Sequence, residues 1–537
     1  MLGSSVAGVL TLLVALVASP STGRAQVLDG QTFLFGTTAL GTGGATGAVS
    51  TDATALYYNP GGLAFGTGGS VSTSITFSVF NENVVRDGFV TGAGSANLVL
   101  EDIASFPFYV GGAVQFGAKA PDGRRRHSVG FATFTPNNVR ARFSGVLPEE
   151  GTTEPPGSSL RIGIRSRNRW YGVGYAYRLV EQLGIGFSAF FIDNVLLHEE
   201  DQSDVSASQL AARSSTVKIP SSQLVFRFGL NWRVERHVQL GLTFQPPDWQ
   251  LRARGRVDEF LSQATVGDPD PPPVSVTTLE GLPADQPLPW RLRLAGSVAF
   301  DFPLRLELDA ILSGRLGRAD NPVQVIDGVP PRERPLPEAT GIYFAQTFTR
   351  NFTVDLALGG EGSVADRVPI SAGIFTSVGN RTGFDAFQED FSPARTDTFG
   401  TSLSVGLRGQ GYDFSVGVVG IFSTGRFLRA VSTEPQQGLA GYEPVGARST
   451  SVFVFVSGAG GAVTRLADEV TRFVGSDDEE SEGSDGSAGD AGAGEDGAGE
   501  GGAGDDGAGE DGAGEDSEGG VSEASSRTGS VREGEQR

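Results

Sequence analysis

The chain has 537 residues, no cysteine and a formal net charge of −22. The lack of cysteine excludes a disulfide framework and a lipid anchor on the mature amino terminus. The charge is uneven, because residues 475–537 contain 20 acidic and 3 basic residues and the rest of the chain has a net charge of only −5. That rest lacks the basic patch of a nucleic-acid-binding protein, so we expect no nucleic-acid partner.

The first 25 residues are predicted to be a signal peptide. An apolar run from Val6 to Ala18 is followed by Pro20 and by Gly23-Arg24-Ala25, which has small residues where a signal peptidase reads them. We expect cleavage after Ala25. The run has 13 residues, too few to span a bilayer as a helix. The sequence has no run of eighteen apolar residues, which excludes a helical membrane protein.

From residue 69 onwards apolar and polar residues alternate with a period of two, which predicts strands with one apolar face. In the first predicted hairpin of this kind, Val180-Glu181-Gln182 interrupts the alternation as a tight turn. Long and short connections alternate without exception between fourteen predicted strands. Their ranges are 69–80, 106–117, 127–136, 168–179, 183–195, 221–234, 237–246, 289–301, 303–313, 352–361, 368–379, 398–409, 411–424 and 449–457. The strand-like residues 341–348 would break this alternation, so we place them in or above an outer loop.

The face opposite the apolar stripes is too polar and bulky for the core of a sandwich or of a small barrel. A wide membrane barrel directs such residues into its lumen. Short turns of outer-membrane barrels are periplasmic, so both ends of residues 69–457 are expected there. We predict an all-β fold, a 14-stranded antiparallel transmembrane β-barrel, in contact with the lipid of the bacterial outer membrane.

The remaining segments flank this barrel. Residues 26–68 are rich in Gly, Ala and Thr and precede the first strand. Since fourteen strands enclose more space than wall side chains fill, we predict that they form an N-terminal hatch, or plug, in the lumen. Residues 458–474 are predicted to be a short amphipathic helix or a linker. Residues 475–537 repeat Gly-Ala-Gly-Glu-Asp and are predicted to be a disordered periplasmic tail.

The hatch carries a recognisable run, Leu56-Tyr57-Tyr58-Asn59-Pro60, preceded by Gly44-Ala45 and Asp52-Ala53 and followed by Leu63. With the hairpins at 170–191 and 226–247, it resembles the FadL-type outer-membrane transporters of long-chain fatty acids and aromatic hydrocarbons. The resemblance covers about residues 36–457. It implies a fourteen-stranded barrel and passive diffusion of ligand through a lateral opening in the wall. The family usually has alanine at the position of Gly61, and since glycine adopts conformations closed to alanine, the local turn can differ.

The hatch motif supplies the candidate site residues. The predicted hatch gate comprises Asp52, Tyr57, Tyr58, Asn59, Pro60 and Gly61. A hydrophobic ligand needs an apolar cleft, and its candidate lining is Phe33, Leu34, Phe35 and Leu56. Candidate lumenal polar residues, able to meet a carboxylate, are Arg178, Arg227, Arg233, Arg291 and Arg293. Two simpler interpretations stay open: the hatch aromatics pack against the wall, and the arginines pair with Glu307 or Asp309.

The predicted function is passive outer-membrane transport of hydrophobic small molecules, gated by the hatch and with lateral exit through the wall. A structural or surface-interaction barrel and a general porin are the alternatives. His127, His198 and His237 are scattered, and neither a nucleophile elbow nor metal-ligand spacing is present. We expect no enzymatic activity, no metal, no cofactor and a monomeric state.

Overall fold

The computed structural model describes fifteen stretches of the chain, with seventeen strands in one sheet. The described residues are 34–66, 68–91, 94–105, 107–120, 123–147, 157–205, 209–265, 267–268, 274–283, 286–316, 351–365, 367–378, 394–409, 411–431 and 441–460. The predicted signal peptide, Phe33, residues 341–348 and the predicted tail lie outside them. So do residues 461–474 of the predicted helix or linker, whereas residues 458–460 belong to the last strand.

The strands are numbered in chain order. They are β1 (Gly69–Thr91), β2 (Gly94–Ser105), β3 (Phe108–Lys119), β4 (Arg125–Leu147), β5 (Ser158–Val180), β6 (Leu183–Val205), β7 (Gln209–Glu235), β8 (Val238–Gln245), β9 (Trp249–Thr265), β10 (Val274–Pro283), β11 (Arg291–Ala299), β12 (Leu304–Ser313), β13 (Thr353–Val364), β14 (Val368–Ser377), β15 (Ala394–Gly409), β16 (Tyr412–Val431) and β17 (Gly441–Gly460). Two short α-helices precede them, α1 (Thr37–Gly41) and α2 (Ala55–Tyr58), followed by a 3₁₀ helix (Pro60–Phe65).

Three crossings of the wall are interrupted, so that seventeen strands form fourteen crossings. Both β2 and β3 run antiparallel to β1 and β4, one above the other. In the same way β8 and β9 both pair with β7 and form one interrupted crossing. The next crossing is also interrupted, because β10 pairs with β9 and β11 pairs with β8. Prolines lie at these breaks and lack the N–H that a ladder requires. They are Pro107, Pro246, Pro247 and Pro289.

The sheet closes on itself, which confirms the predicted fourteen-stranded barrel. Strand β17 pairs antiparallel with β1 from the pair Val71–Gly460 to the pair Val85–Ala447. Short turns join β3 to β4, β5 to β6, β7 to β8, β11 to β12, β13 to β14 and β15 to β16 at one end, here called the short-turn end. The Val71–Gly460 pair lies at this end, so the barrel begins and ends on the side that the connection lengths predicted.

Several strands are much longer than predicted. Strands β4, β5 and β6 have 23 residues each and β7 has 27, whereas about 9–11 residues cross a bilayer. They therefore continue past the membrane at the end opposite the short turns. The prediction treated these extensions as long connections, yet only residues 206–208 lie between β6 and β7. The alternation of apolar and polar residues fades there, because both faces of an extension beyond the lipid can meet water.

The two faces of the wall differ in the way that a membrane barrel requires. On the outside, large apolar side chains such as Val173 and Leu403 are exposed to 63% and 60%. On the inside, Arg178, Arg227 and Glu307 are buried. Lipid covers the outer apolar belt, and the lumen receives the polar residues. No helix in the described ranges is long and apolar enough to cross a membrane.

A charge placed at the middle of the apolar belt tests its position. Leu403 points outward six residues from the end of β15, and Leu407 points outward two residues from that end. We expect Leu403→Arg to lower the free energy of unfolding by about 2–4 kcal/mol, and Leu407→Arg by about 0–1 kcal/mol, because the second site lies near the membrane surface. Urea unfolding in lipid vesicles measures both values. Equal losses would contradict this placement of the belt.

Candidate functional site

Residues 34–66, here called the inner segment, lie inside the barrel and are mostly buried. Helix α2 ends at Tyr58, and at Asn59 the backbone turns to an extended conformation with φ −163°. The Asn59 side chain then accepts a hydrogen bond from the N–H of Gly61 at 3.1 Å, and Pro60 begins the 3₁₀ helix. Proline suits this first position because its missing N–H has no helical partner there.

Asn59 also fastens the inner segment to itself and to the wall. Its Nδ2 donates to the carbonyl of Gly47 at 2.8 Å and to the carbonyl of Leu230, on β7, at 3.0 Å. Its side chain is completely buried. The Asn59 side-chain amide therefore joins two turns of the inner segment to each other and to one wall strand. This is what the asparagine of the Asn-Pro pair contributes to the structure.

Wall side chains satisfy the carbonyl groups of the inner segment. Ser188 donates to Leu56 O at 2.7 Å, and Thr243 donates to Tyr58 O at 2.9 Å. The guanidinium of Arg227 donates to the carbonyl of Tyr57, the residue between Leu56 and Tyr58. Buried backbone groups without partners are costly, so polar wall residues are what allow a segment with little regular structure to lie in the lumen.

Two wall carboxylates accept from the N–H groups on another turn of the segment. Asp309 Oδ2 accepts from Thr46 N at 3.2 Å and Gly47 N at 3.0 Å, and Glu307 Oε1 accepts from Ala48 N at 2.7 Å. Arg293 forms a 2.9 Å ion pair with the same Asp309 oxygen. An ion pair buried in this way needs further hydrogen bonds to offset desolvation, and the backbone N–H groups supply them.

The aromatic residues of the inner segment belong to a cluster with the wall. Phe35 stacks on Phe134 with 4.4 Å between ring centroids, and Tyr57 meets the edge of Trp170 at 5.7 Å. The Arg227 guanidinium lies over the Tyr57 ring, 3.6 Å from its centroid, at a distance that favours a cation–π interaction. The rings that contact one another, here called the aromatic cluster, are those of Phe35, Tyr57, Tyr58, Tyr109, Phe134, Trp170 and Phe190.

Glycines let the backbone of the inner segment lie directly against the wall. A Cβ at Gly61 would lie 2.9 Å from each of three main-chain atoms, Asn231 N, Gly184 O and Gly229 O. The backbone at Gly61 does not have a positive φ, so alanine is disfavoured by space and not by conformation. This is the physical reason for glycine at the position where FadL-type proteins usually have alanine.

Asp52 stabilises a local turn before α2. Its Oδ1 accepts hydrogen bonds from the backbone N–H of Thr54, at 3.1 Å, and from the Thr54 hydroxyl. Burial raises the pKa of the Asp52 carboxyl above its ordinary value of 3.8, and the hydrogen bonds from Thr54 oppose this rise.

A cavity of about 80 Å³ lies between the inner segment and strands β7, β8 and β11–β14. Its lining is half polar. Of the predicted residues it brings together Leu34, Tyr57, Tyr58, Arg227, Arg291 and Arg293. Thr243, Gln245 and Asp355 also line it and were not predicted. The alternation on β8, where Thr243 and Gln245 flank the outward Phe244, is the signal that could have found two of them.

The other predicted residues lie elsewhere. Phe35 is in the aromatic cluster, and Leu56 packs under Gly130 and Gly174 of the wall. Arg178 donates to Arg124 O at 3.1 Å beside a short turn, and Arg233 lies over the Phe65 ring at 4.1 Å. Asp52, Asn59, Pro60 and Gly61 are not among the cavity lining.

Comparison with known proteins rests on structure, since no family model and no curated protein matches the sequence. The chain is similar to the crystal structure of a Pseudomonas aeruginosa FadL homologue, with a TM-score of 0.52 and 12% identity over 82% of this chain and 99% of that chain. The chain has the FadL-type barrel fold. The P. putida toluene transporter TodX aligns with a TM-score of 0.48 and 12% identity over 79% of this chain and 97% of that chain. At this level of identity the similarity shows the fold alone. It is the fold that the resemblance of the hatch motif implied.

Replacing Gly61 tests the close approach of inner segment and wall. We expect Gly61→Ala to lower the free energy of unfolding by about 1–3 kcal/mol, because the added methyl forces backbone to shift. Urea unfolding followed by tryptophan fluorescence measures this, since Trp170 lies in the adjoining cluster. Gly296→Ala is the control, because the nearest atom to its Cβ would be 3.8 Å away. A Gly61→Ala protein as stable as the control would contradict this account.

Proposed function

We propose that this protein is a passive outer-membrane transporter of hydrophobic small molecules, with the inner segment as its gate and an exit through the barrel wall. The observation that carries the proposal is the cavity bounded by Tyr57 and Tyr58 inside a FadL-type barrel. Solved structures with related folds include a FadL homologue and toluene transporters. Long-chain fatty acids and aromatic hydrocarbons are therefore the ligand classes to test.

The gate is closed in this arrangement. The cavity of about 80 Å³ is smaller than the roughly 300–1,000 Å³ of a usual ligand pocket. Tyr57 and Tyr58 are exposed to only 3% and 0%, and their rings pack edge to face with 5.2 Å between the centroids. A ligand that reaches the cavity can go further only if part of the inner segment moves.

The wall has a weak place for lateral exit between β1 and the interrupted crossing β2–β3. Among described residues, the ladder runs to the pair Ile75–Phe108 and resumes at the pair Val84–Val99. Pro107 lies at the break, and Pro136 lies in a register shift of the neighbouring β4. Prolines do not donate to a ladder, so strands separate there at lower cost than along an uninterrupted ladder. The aromatic cluster, with Tyr109, adjoins this place on the inside.

The arginines beside the cavity favour a ligand with an acidic group at one end. Arg293 is paired with Asp309, and Arg227 is held by Tyr57. Arg291 also lines the cavity, and its Nε has no hydrogen-bond acceptor in the described part of the chain. A guanidinium in this position matches a carboxylate, which a fatty acid has and toluene lacks.

One observation favours the second candidate, a structural barrel with a fixed interior. The inner segment is bound to the wall by serine, threonine, asparagine, arginine and two carboxylates, and these bonds resist displacement. If the segment never moves, the protein transports nothing and acts through its extended outer strands. Transport measurements distinguish the two candidates.

A disulfide between the inner segment and the wall tests gating. A Cβ at Gly41 would lie 2.9 Å from Ser371 Cβ, shorter than the roughly 3.5–4.5 Å of a disulfide, so the inner segment has to move away from the wall by about 1 Å for the bond to form. The chain has no cysteine of its own. In cells producing Gly41→Cys, Ser371→Cys protein, we expect oxidation to reduce uptake of labelled oleate and toluene to the level of cells lacking the barrel, and reduction to restore it.

The single-cysteine variants are the matched controls for this experiment, because they carry the same substitutions without the tether. Equal uptake by oxidised and reduced double variants would contradict gating. If wild-type protein gives no uptake above cells lacking it, the structural candidate replaces the transporter.

A substitution of Arg291 tests the preference for an acid. We expect Arg291→Gln to reduce uptake of oleate several-fold and to leave uptake of toluene unchanged, since only oleate has a carboxylate. Arg236→Gln, at an exposed short turn, is the control for loss of one positive charge. Equal effects of Arg291→Gln on both ligands would show that Arg291 acts on the barrel and not on the carboxylate.

A further inference from the structure

A groove on the outside of the wall, near the short-turn end, is independent of the cavity in the lumen. It has a volume of about 690 Å³, and its lining is almost wholly apolar. It crosses β1, β3, β4, β5 and β6, and its outward side chains include Val71, Val129, Phe131 and Val173. Its volume is within the roughly 300–1,000 Å³ of small-molecule clefts.

Gly112 faces outward in β3 and lines the groove. Its partners across the ladders are Val71 and Phe131, and a Cβ on Gly112 would lie 2.7 Å from the Phe131 ring. Directly opposed residues share one face of a sheet. The Phe131 ring therefore lies over Gly112, in the space that a side chain would take, and it forms one side of the groove.

Below the groove, the β3–β4 hairpin changes from apolar to aromatic to cationic along the same outer face. The cross-strand pairs are Val114–Val129, then Phe116–His127, then Lys119–Arg125 at the end of the hairpin. Arg125, His127 and Val129 alternate along β4 and so share a face. The order matches the depth of a lipid leaflet, from hydrocarbon through the interface to the headgroups.

The middle layer has the composition of a membrane interface. The rings of Phe116 and His127 stack at 5.3 Å, and His127 Nδ1 lies 2.7 Å from the Tyr175 hydroxyl. Aromatic rings with one polar edge collect at the level of the lipid headgroups. This places Lys119 and Arg125, the next pair outward, among the phosphates.

The length of this surface fits one acyl chain. Six residues separate Phe131, the partner of Gly112, from Arg125, the partner of Lys119, which is about 20 Å along β4. A tilt of about 40° reduces this to about 15 Å along the membrane normal, half of a hydrocarbon core of about 30 Å. A lipid with its headgroup at Lys119 would reach Phe131 with the middle or end of its chain.

We propose that this groove binds a glycerophospholipid with an anionic headgroup, its acyl chain against Val114, Val129 and Phe131 and its phosphate against Lys119 and Arg125. Charge decides the choice of lipid, because cations near the membrane surface favour anionic over zwitterionic headgroups. By the orientation of short turns in such barrels, the lipid comes from the periplasmic leaflet. The inference does not depend on the transport function.

Native mass spectrometry of the purified full chain tests the site with phosphatidylglycerol and phosphatidylethanolamine of identical acyl chains. We expect the wild type to retain one phosphatidylglycerol about tenfold more tightly than phosphatidylethanolamine. In the double variant Lys119→Gln, Arg125→Gln that preference should disappear. Val114→Trp and Val129→Trp, which fill the groove from either strand with an apolar ring, should each lose both lipids.

Arg236→Gln is the control, since it removes one exposed charge from another short turn and should leave the preference unchanged. Circular dichroism and heat-modifiable mobility establish that each variant is folded. No preference in the wild type would overturn the proposal, as would retention of phosphatidylglycerol by the folded tryptophan variants. An equal loss of preference with Arg236→Gln would show general attraction to charge, and it would overturn the site as well.

Discussion

The contact on which the rest of this structure depends is the direct approach of the inner segment's backbone to the wall. At Gly61, Gly184 and Gly229 no side chain separates the two. The carbonyl and N–H groups of the segment are consequently within reach of short polar side chains such as Ser188 and Thr243. A bulkier residue on either side would push the segment away and leave its buried polar groups unpaired, at a cost of about 1–3 kcal/mol each.

Because of this contact, some of the charged residues in the lumen bind the backbone of the inner segment and others line the cavity. Glu307, Asp309 and Arg293 are engaged with the backbone of residues 44–48. Arg291 and Asp355 line the cavity on its other side. The structural and ligand-binding interpretations of the arginines, which the sequence left open, thus concern different residues. Contact with a ligand stays a prediction for Arg291, while the geometry of Arg293 is that of a structural ion pair.

Much of the fold could be predicted from sequence, because a membrane imposes period-two patterns and alternating connection lengths. Fourteen crossings and a polar lumen followed from those constraints. The interruptions at Pro107 and Pro246 could not be predicted from those constraints. Both halves of a broken crossing lie between the same two neighbouring crossings, and only the strand pairing in the structure shows which two halves form one crossing. The extensions of β4–β7 were missed because alternation fades beyond the lipid, as in Arg165-Ser166-Arg167-Asn168-Arg169.

The candidate site was less predictable, for a related reason. A motif such as Tyr57-Tyr58-Asn59-Pro60 indicates that a segment matters, but not which wall residues it meets. Phe134 and Phe190 are inward aromatics on strands whose inner face was expected to be polar, and only their common height in the barrel joins them to Tyr57. The reason for Gly61 likewise lies in β6 and β7, more than 120 residues away in the chain. Contacts between such distant positions are not encoded in local spacing.

The strength of the attachment limits how a gate could open. At least eleven hydrogen bonds join the inner segment to the wall. At about 1 kcal/mol each, displacing the whole segment would cost about as much as unfolding a typical protein, roughly 5–15 kcal/mol.

The passive transport proposed above supplies no energy to meet that cost, so the proposed gate would have to move locally. Gly43 and Gly44, with φ of 65° and 87°, border the cavity, and the bond from Arg293 to Gly44 O is long at 3.3 Å. A shift of this turn would enlarge the cavity while the contacts of Asn59 and Gly61 remain in place.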